Sequence, residues 1–476
     1  MREEIGIEKR YIVLMLSIFV ISRFILLKVG IGLSLDPLYS YWQYLDPKAL
    51  ENNLLQSIFY LHAQPPFFNL IIGIVLKLFP NSYETVFQNL FYLFSLTIYF
   101  SIFQLLYLYG ISRKISFLLA TLFILSPEAI LYENYFFYTW FISSLLILSV
   151  LLLRIYQYSG RALYIFLFIS AIFIVAFTRS LFHLLYIIPL LALILHISGR
   201  DFSIKLFSLL LFTLLSALYL KNYILFGTFS SSSWMGMNLF KIARYCVDKD
   251  EMKRLIRNRE ISPSCAVEPF STIDRYPKRF SKVPKRFENI DVLSREYKTS
   301  HYGNRNHYGY IEISKELRRD SIFLIRKHPF AYMKSVIKAW GYYSLPSWSY
   351  FSFRKKLDIL RRYHPVLLFE DLLYNLQKRI FALKNNFSCS YISILSIPIA
   401  VLIVIVSALL SYRRGRVDYA QLFAIYNILF IAIIGNMLES GENNRFRVMS
   451  DPILYTYFVI AIFLFLKGRK ASSKPI

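Results

Sequence analysis

Apolar runs long enough to cross a bilayer, about 17 to 25 residues each, recur along the chain at 11–30, 86–109, 115–132, 135–155, 162–178, 180–197, 203–222, 391–411, 419–437 and 451–467. They predict an all-α polytopic membrane protein with about ten spans. A further run, 67–80, is short and follows Pro65-Pro66, which reads as an interfacial or re-entrant helix. Between 223 and 390 the pattern changes to polar sequence with amphipathic stretches at 314–325 and 331–343, suited to packing on a membrane surface or over a cavity. The chain therefore divides into a helical module (1–222) with a first loop at 31–85, a large polar segment (223–390) and C-terminal helices (391–476). No internal repeat or low-complexity tract interrupts this order.

Charge placement orients the helices. With Lys9 and Arg10 in the cytoplasm and 67–80 not spanning, Arg113-Lys114, Arg154 with Arg161, Arg200 with Lys205, Arg413-Arg414-Gly415-Arg416 and Lys467-Gly468-Arg469-Lys470 all fall inside, as the positive-inside rule asks. Counting 67–80 as a span would put these clusters outside. Both termini are thus expected in the cytoplasm, with 31–85, 223–390 and the turn 439–451 on the external face. The long segment is basic, but loops of that length cross largely regardless of charge. The first run lacks a small-residue cleavage site and is expected to remain as an uncleaved anchor.

Composition agrees with a membrane protein: of 476 residues, 56% are hydrophobic and 18% aromatic, and the mean hydropathy is +0.45. The net charge of +26 does not indicate nucleic acid, because Lys and Arg fall at the ends of apolar runs and in the polar segment, a pattern suited to lipid phosphates. Cys246, Cys265 and Cys389 have no metal-like spacing. A Cys246–Cys265 disulfide is conceivable in an oxidising compartment, but unpaired thiols are the expectation.

Polar residues that carry chemistry gather on the expected external face. Asp36-Pro37 stands just beyond the first run, where its carboxylate can reach a cavity, although Asp-Pro turns are common in their own right. Tyr39 follows it. His62-Ala63-Gln64-Pro65-Pro66 projects His62 and Gln64 from a stiff backbone. Arg179 and His183 interrupt apolar sequence, where ionisable groups are costly unless they face a polar site or partner, and an arginine there suits a phosphate. Glu439, Glu442, Arg445 and Arg447 join the last two runs, and read equally as a solvated turn. Glu128 and Glu133 lie on another outer turn. Histidine pairs at metal-binding spacing and Gly-rich phosphate loops are absent from the sequence. It indicates no cofactor, and a divalent metal, though possible, is not signalled.

An acid after the first helix, a Pro-Pro helix start some thirty residues later, a seven-helix block and a large outward segment together resemble the GT-C class of membrane glycosyltransferases. The nearest branch is the family 39-like group of protein O-mannosyltransferases and lipid A aminoarabinose transferases. The resemblance rests on architecture and on Asp36 and His62 to Phe67; residues 223–390 match nothing in it. It implies a GT-C-type bundle in the cytoplasmic membrane and inverting transfer of a sugar from a polyprenyl-phosphate donor to an unidentified acceptor on the external face, with Asp36 as general base. Some members carry a lysine directly before the Pro-Pro pair, near the carrier phosphate. Here that position is Gln64, which shifts the expected phosphate contact to Arg179, Arg445 or Arg447, with His62 and His183 nearby and Glu133, Tyr39 and Glu442 lining the cavity or the acceptor side. Two other readings stay open: an O-antigen-ligase-like or polymerase-like enzyme, and a transporter or flippase of lipid-linked sugars.

Overall fold

The computed structural model describes residues 7–381, 391–413 and 417–472. It is 76% helical and has no strand among these residues. Among the described residues six helices are long and apolar enough to cross a membrane: Lys9–Lys28 (α1), Tyr83–Leu108 (α3), Tyr138–Ser159 (α6), Phe202–Phe226 (α9), Tyr391–Arg413 (α14) and Tyr419–Leu438 (α15). Arg113–Ile124 (α4) and Pro127–Glu133 (α5) add a seventh if their 58° bend is one broken span. These apolar helices fit a multi-pass membrane protein. The run 162–178 becomes the 17-residue Ala162–Thr178 (α7), and 180–197 shortens to Leu184–Ile197 (α8). Asp451–Ser472 (α16) closes the chain.

Local chemistry accounts for the shorter pieces. The run 115–132 breaks at Ser126-Pro127 because proline cannot donate to the preceding turn, and Ser126 caps the new helix by accepting from the Ala129 amide. The carbonyls freed at the break find side-chain donors: Arg23 Nη2 lies 3.2 Å from the Ile124 oxygen and His364 Nε2 2.8 Å from the Leu125 oxygen. Phe67–Leu78 (α2) starts after Pro66 and runs 12 residues, about 18 Å at 1.5 Å per residue, short of a span, as its sequence suggests. It is pinned beneath the first loop by Asn69, which accepts from the Leu45 amide at 2.8 Å and donates to the Gln43 carbonyl at 3.1 Å.

Both amphipathic stretches of the polar segment become helices, Gly309–Lys327 (α11) and Pro329–Ser344 (α12). Helix α11 packs on Met235–Ala243 (α10) so closely that a Cβ at Gly236 would meet the Ser314 carbonyl oxygen at 1.8 Å. Pro365–Phe381 (α13) leads towards the C-terminal helices. Cys246 and Cys265 are buried and unpaired, as expected; Cys389, Arg414 and Arg416 lie outside the described residues.

Glu133 departs from its expected place. It is fully buried, and its carboxylate is gripped by Arg23 of α1 at 2.7 to 3.2 Å. It therefore does not line an open cavity; it fastens α1, most of whose surface is exposed apolar side chains, to the rest of the bundle. Removing one partner of such a pair strands the other charge, at about 3–5 kcal/mol, whereas replacing both with apolar residues of similar volume is often neutral. Glu133→Ala should thus lower the thermal midpoint in detergent sharply and Arg23→Met/Glu133→Leu should recover most of the loss; equal midpoints for the single variant and the wild type would show that the pair is not structural.

Candidate active site

Residues 31–45 have few backbone partners of their own, and the chain compensates with one short pairing. Ser34 bridges in parallel to Tyr135, its amide donating to the Asn134 oxygen at 3.2 Å while its own carbonyl accepts from the Phe136 amide at 3.4 Å. Two residues on, Asp36 opens the helix Asp36–Ser40, with Pro37 suited to a first helical turn. The Asp36 carboxylate is exposed and accepts from Ser34 Oγ at 2.9 Å.

Two lysines from the polar segment hold this loop. Lys356 Nζ donates to the Gly32 carbonyl at 2.7 Å and to the Asn134 carbonyl at 2.5 Å. Lys298 Nζ lies 2.7 Å from the Tyr41 oxygen and 3.4 Å from the Tyr39 oxygen. Burial pulls the Lys356 amine down to about 8, with Asp36 working the other way, and pulls Lys298 down to about 7, with Asp46 opposing and Arg305 adding to the drop.

From the loop a chain of hydroxyls leads inward. Tyr41 Oη contacts the Tyr135 hydroxyl and lies 2.9 Å from Tyr350 Oη, and Tyr350 donates to Glu442 Oε1 at 3.4 Å. Glu442 in turn accepts from Arg445 Nη2 at 2.5 Å. The Arg445 guanidinium sits 4.5 Å from the Phe137 ring centre and 5.5 Å from that of Phe446. Arg179 approaches the same Phe446 ring at 4.2 Å and Tyr138 at 5.5 Å, its Nη1 3.3 Å from the Met449 sulfur. Both arginines are buried, and Arg445 Nε and Nη1 have no partner. Burial, with the Arg445 charge beside it, pulls Arg179 below its ordinary value despite the opposing influence of Tyr138. Burial alone would raise the Glu442 carboxyl, but Arg445 and then Lys241 outweigh it and hold it below the usual carboxylate range. Glu439, paired with Lys241 at 2.8 Å, is raised because burial prevails over that cation.

Among the residues expected at a site, the structure brings together Arg179, Arg445 and Glu442, with Gln64 at the rim of the cluster, where its Oε1 accepts from Ser180 Oγ at 3.3 Å. Tyr39 is in the same loop as Asp36 but turns to the Tyr83 hydroxyl at 3.0 Å. His183 caps α8 by accepting from the Leu185 amide and meets the Phe430 ring.

Two expectations are corrected. Arg447 does not face a phosphate: its Nε lies 2.9 and 3.0 Å from the Asp451 oxygens, Nη1 donates to the carbonyls of Tyr343 and Leu345 and Nη2 to Ser347 Oγ, and Glu128 adds a second nearby acid. His62 is likewise consumed, with Nδ1 2.6 Å from Ser233 Oγ and Nε2 2.8 Å from the Asn306 carbonyl. It stitches the first loop to the polar segment instead of binding a donor. Sequence reasoning missed Tyr135, Tyr350, Lys241, Lys298 and Lys356. Tyr is abundant here, 37 in all, so no single one stands out, and the three lysines lie in a segment whose many basic residues read together as suited to lipid phosphates, with none singled out.

Burial holds the His62 imidazole at about 3, the Asn306 carbonyl opposing and Lys221 adding to the drop. An unfolded chain takes up that proton below about 6.5, so this part of the stability is complete above about 6.5 and is lost as pH falls towards 3. The wild-type thermal midpoint in detergent should therefore drop between pH 7.5 and pH 5, and His62→Gln should reduce that drop; an unchanged slope would assign the acid sensitivity elsewhere.

Compared with known proteins, the chain matches no family model, no curated protein sequence and no solved structure.

Proposed function

We propose that the protein is a membrane glycosyltransferase of the GT-C kind, with about ten spans and an external active site, that transfers a sugar from a polyprenyl-phosphate donor to an acceptor by inverting displacement. The observation that carries this reading is the pair of buried arginines, Arg179 and Arg445, sharing the Phe446 ring below a loop that presents an exposed carboxylate. Two cations forced together, with unpaired donors on Arg445, suit a ligand of more than one negative charge. A phosphate leaving group gains charge as the glycosidic bond breaks, which is the moment such donors act most strongly.

In the proposed step the acceptor hydroxyl gives its proton to Asp36 while its oxygen bonds to the anomeric carbon. The bond from that carbon to the phosphate oxygen breaks, and the electron pair leaves with the polyprenyl phosphate. A phosphate needs no protonation to leave, so one carboxylate suffices, unlike the pair that a glycosidase uses. Glu442 orients Arg445, and the aromatic walls of Phe137, Tyr138 and Phe446 keep water from competing for the two guanidinium groups.

Purified protein incubated with synthetic polyprenyl-phosphate sugars should release carrier phosphate in the presence of the right acceptor. Asp36→Asn should cut turnover by roughly 10²- to 10⁴-fold, the range for a lost general base, with donor binding retained; near-normal transfer would remove the assignment, since asparagine supports a turn as well as aspartate does. Donor binding should fall more for Arg179→Ala than for Arg179→Lys, because lysine keeps the charge and loses only the planar fork. Arg445→Ala should weaken donor binding and also lower the thermal midpoint, because it strands the Glu442 carboxylate, whereas Arg447→Ala should lower the midpoint without changing the donor affinity of the folded protein. Donor affinity untouched in both the Arg179 and the Arg445 variants would place the phosphate elsewhere.

A further inference from the structure

We propose that Lys356 is a positioning residue for Asp36: its partly buried amine joins the two backbone segments from which the carboxylate is suspended. The inference rests on the reading of Asp36 as base. Lys356 donates to the carbonyls of Gly32 and Asn134, so it closes from outside the same two segments that the Ser34 and Tyr135 pairing closes from within. Asp36 follows that pairing by two residues and is held to it by the Ser34 hydroxyl.

The place from which Lys356 reaches in is itself fixed. Phe353, three residues earlier, is buried edge-on against Tyr132 at 4.7 Å and Tyr135 at 5.2 Å, and Ser352 Oγ accepts from the Tyr135 hydroxyl at 3.3 Å. Its neighbour Lys355 is exposed. Burying an ammonium group is costly unless its hydrogens find strong acceptors, and a neutral donor would satisfy two carbonyls at less cost. What the charge adds is a through-space attraction to Asp36, which works against the fall that burial imposes on the Lys356 amine. A carboxylate that must meet an acceptor hydroxyl within hydrogen-bond reach needs its backbone held to a fraction of an ångström. Lys356 does this without touching the substrate.

The test compares Lys356→Met and Lys356→Arg with the wild type and with Asp36→Asn, using full-length protein in detergent and the donor panel described above. Lys356→Met should lower kcat by about ten- to a hundredfold, the scale of a misplaced catalytic group, with the donor KM changed by less than about twofold. Lys356→Arg should restore most of the turnover. Wild-type turnover should also decline as pH rises through about 8, where the Lys356 amine loses its proton, and Lys356→Arg should not show that decline. Lys298, with its own titration near 7, is present in both proteins, so the difference between their profiles isolates Lys356. A Met variant with wild-type kcat, or an Arg variant with the same alkaline decline as the wild type, overturns the inference while leaving Asp36 as base. Full activity in Asp36→Asn overturns the base itself and the inference with it.

Discussion

The first loop depends on amines borrowed from elsewhere in the chain. Three lysines distant in sequence donate to its carbonyls or to those beside it: Lys221 to Phe59 and Leu61, Lys298 to Tyr39 and Tyr41, and Lys356 to Gly32 and Asn134. A loop near a bilayer cannot count on water to complete its backbone hydrogen bonds, and unsatisfied carbonyls there are expensive. An ammonium group, with three donors on a long stem, can close two carbonyls at once across a gap that no backbone amide spans. The loop thus takes several of its backbone partners from helix α9 and the polar segment, which makes those parts a scaffold for the candidate site and not an appendage to it.

The charge balance beneath the loop follows from the same economy. Glu442 neutralises Arg445, Glu439 neutralises Lys241, and Arg179 is left with aromatic rings and a methionine sulfur. Ring faces stabilise a guanidinium only modestly. A cation so placed is a standing request for an anion, and Arg447, though two residues from Arg445, makes no such request because Asp451 and three further acceptors already surround it.

Much of the architecture was legible in the sequence because hydrophobic length is a direct physical signal: helices form over the long apolar runs, and the two amphipathic stretches also become helical. What escaped were effects that depend on pairing across the chain. The break at Ser126-Pro127 lies inside an apolar run whose length alone suggests one continuous helix. Glu133 reads as an outer-turn acid because nothing near it in sequence announces Arg23, 110 residues earlier. Arg445 and Arg447 are indistinguishable as letters, and only the fold decides that one is enclosed by acceptors and the other is not. His62 carries chemistry as a residue type, yet its two nitrogens are spent on Ser233 and Asn306, in a segment that offered no recognisable pattern.

The break between α4 and α5 has a consequence in time. In a bilayer, a carbonyl left open where a helix breaks has to be satisfied by protein, and the Leu125 oxygen, whose helical partner Ala129 bonds instead to Ser126, is met by His364, 239 residues further on. At a synthesis rate of 5–20 residues per second, about 12 s or more separates the two on the ribosome. This seal can form only after the polar segment has been made, so a chain that ended before residue 364 would lack the side chain that meets the Leu125 oxygen.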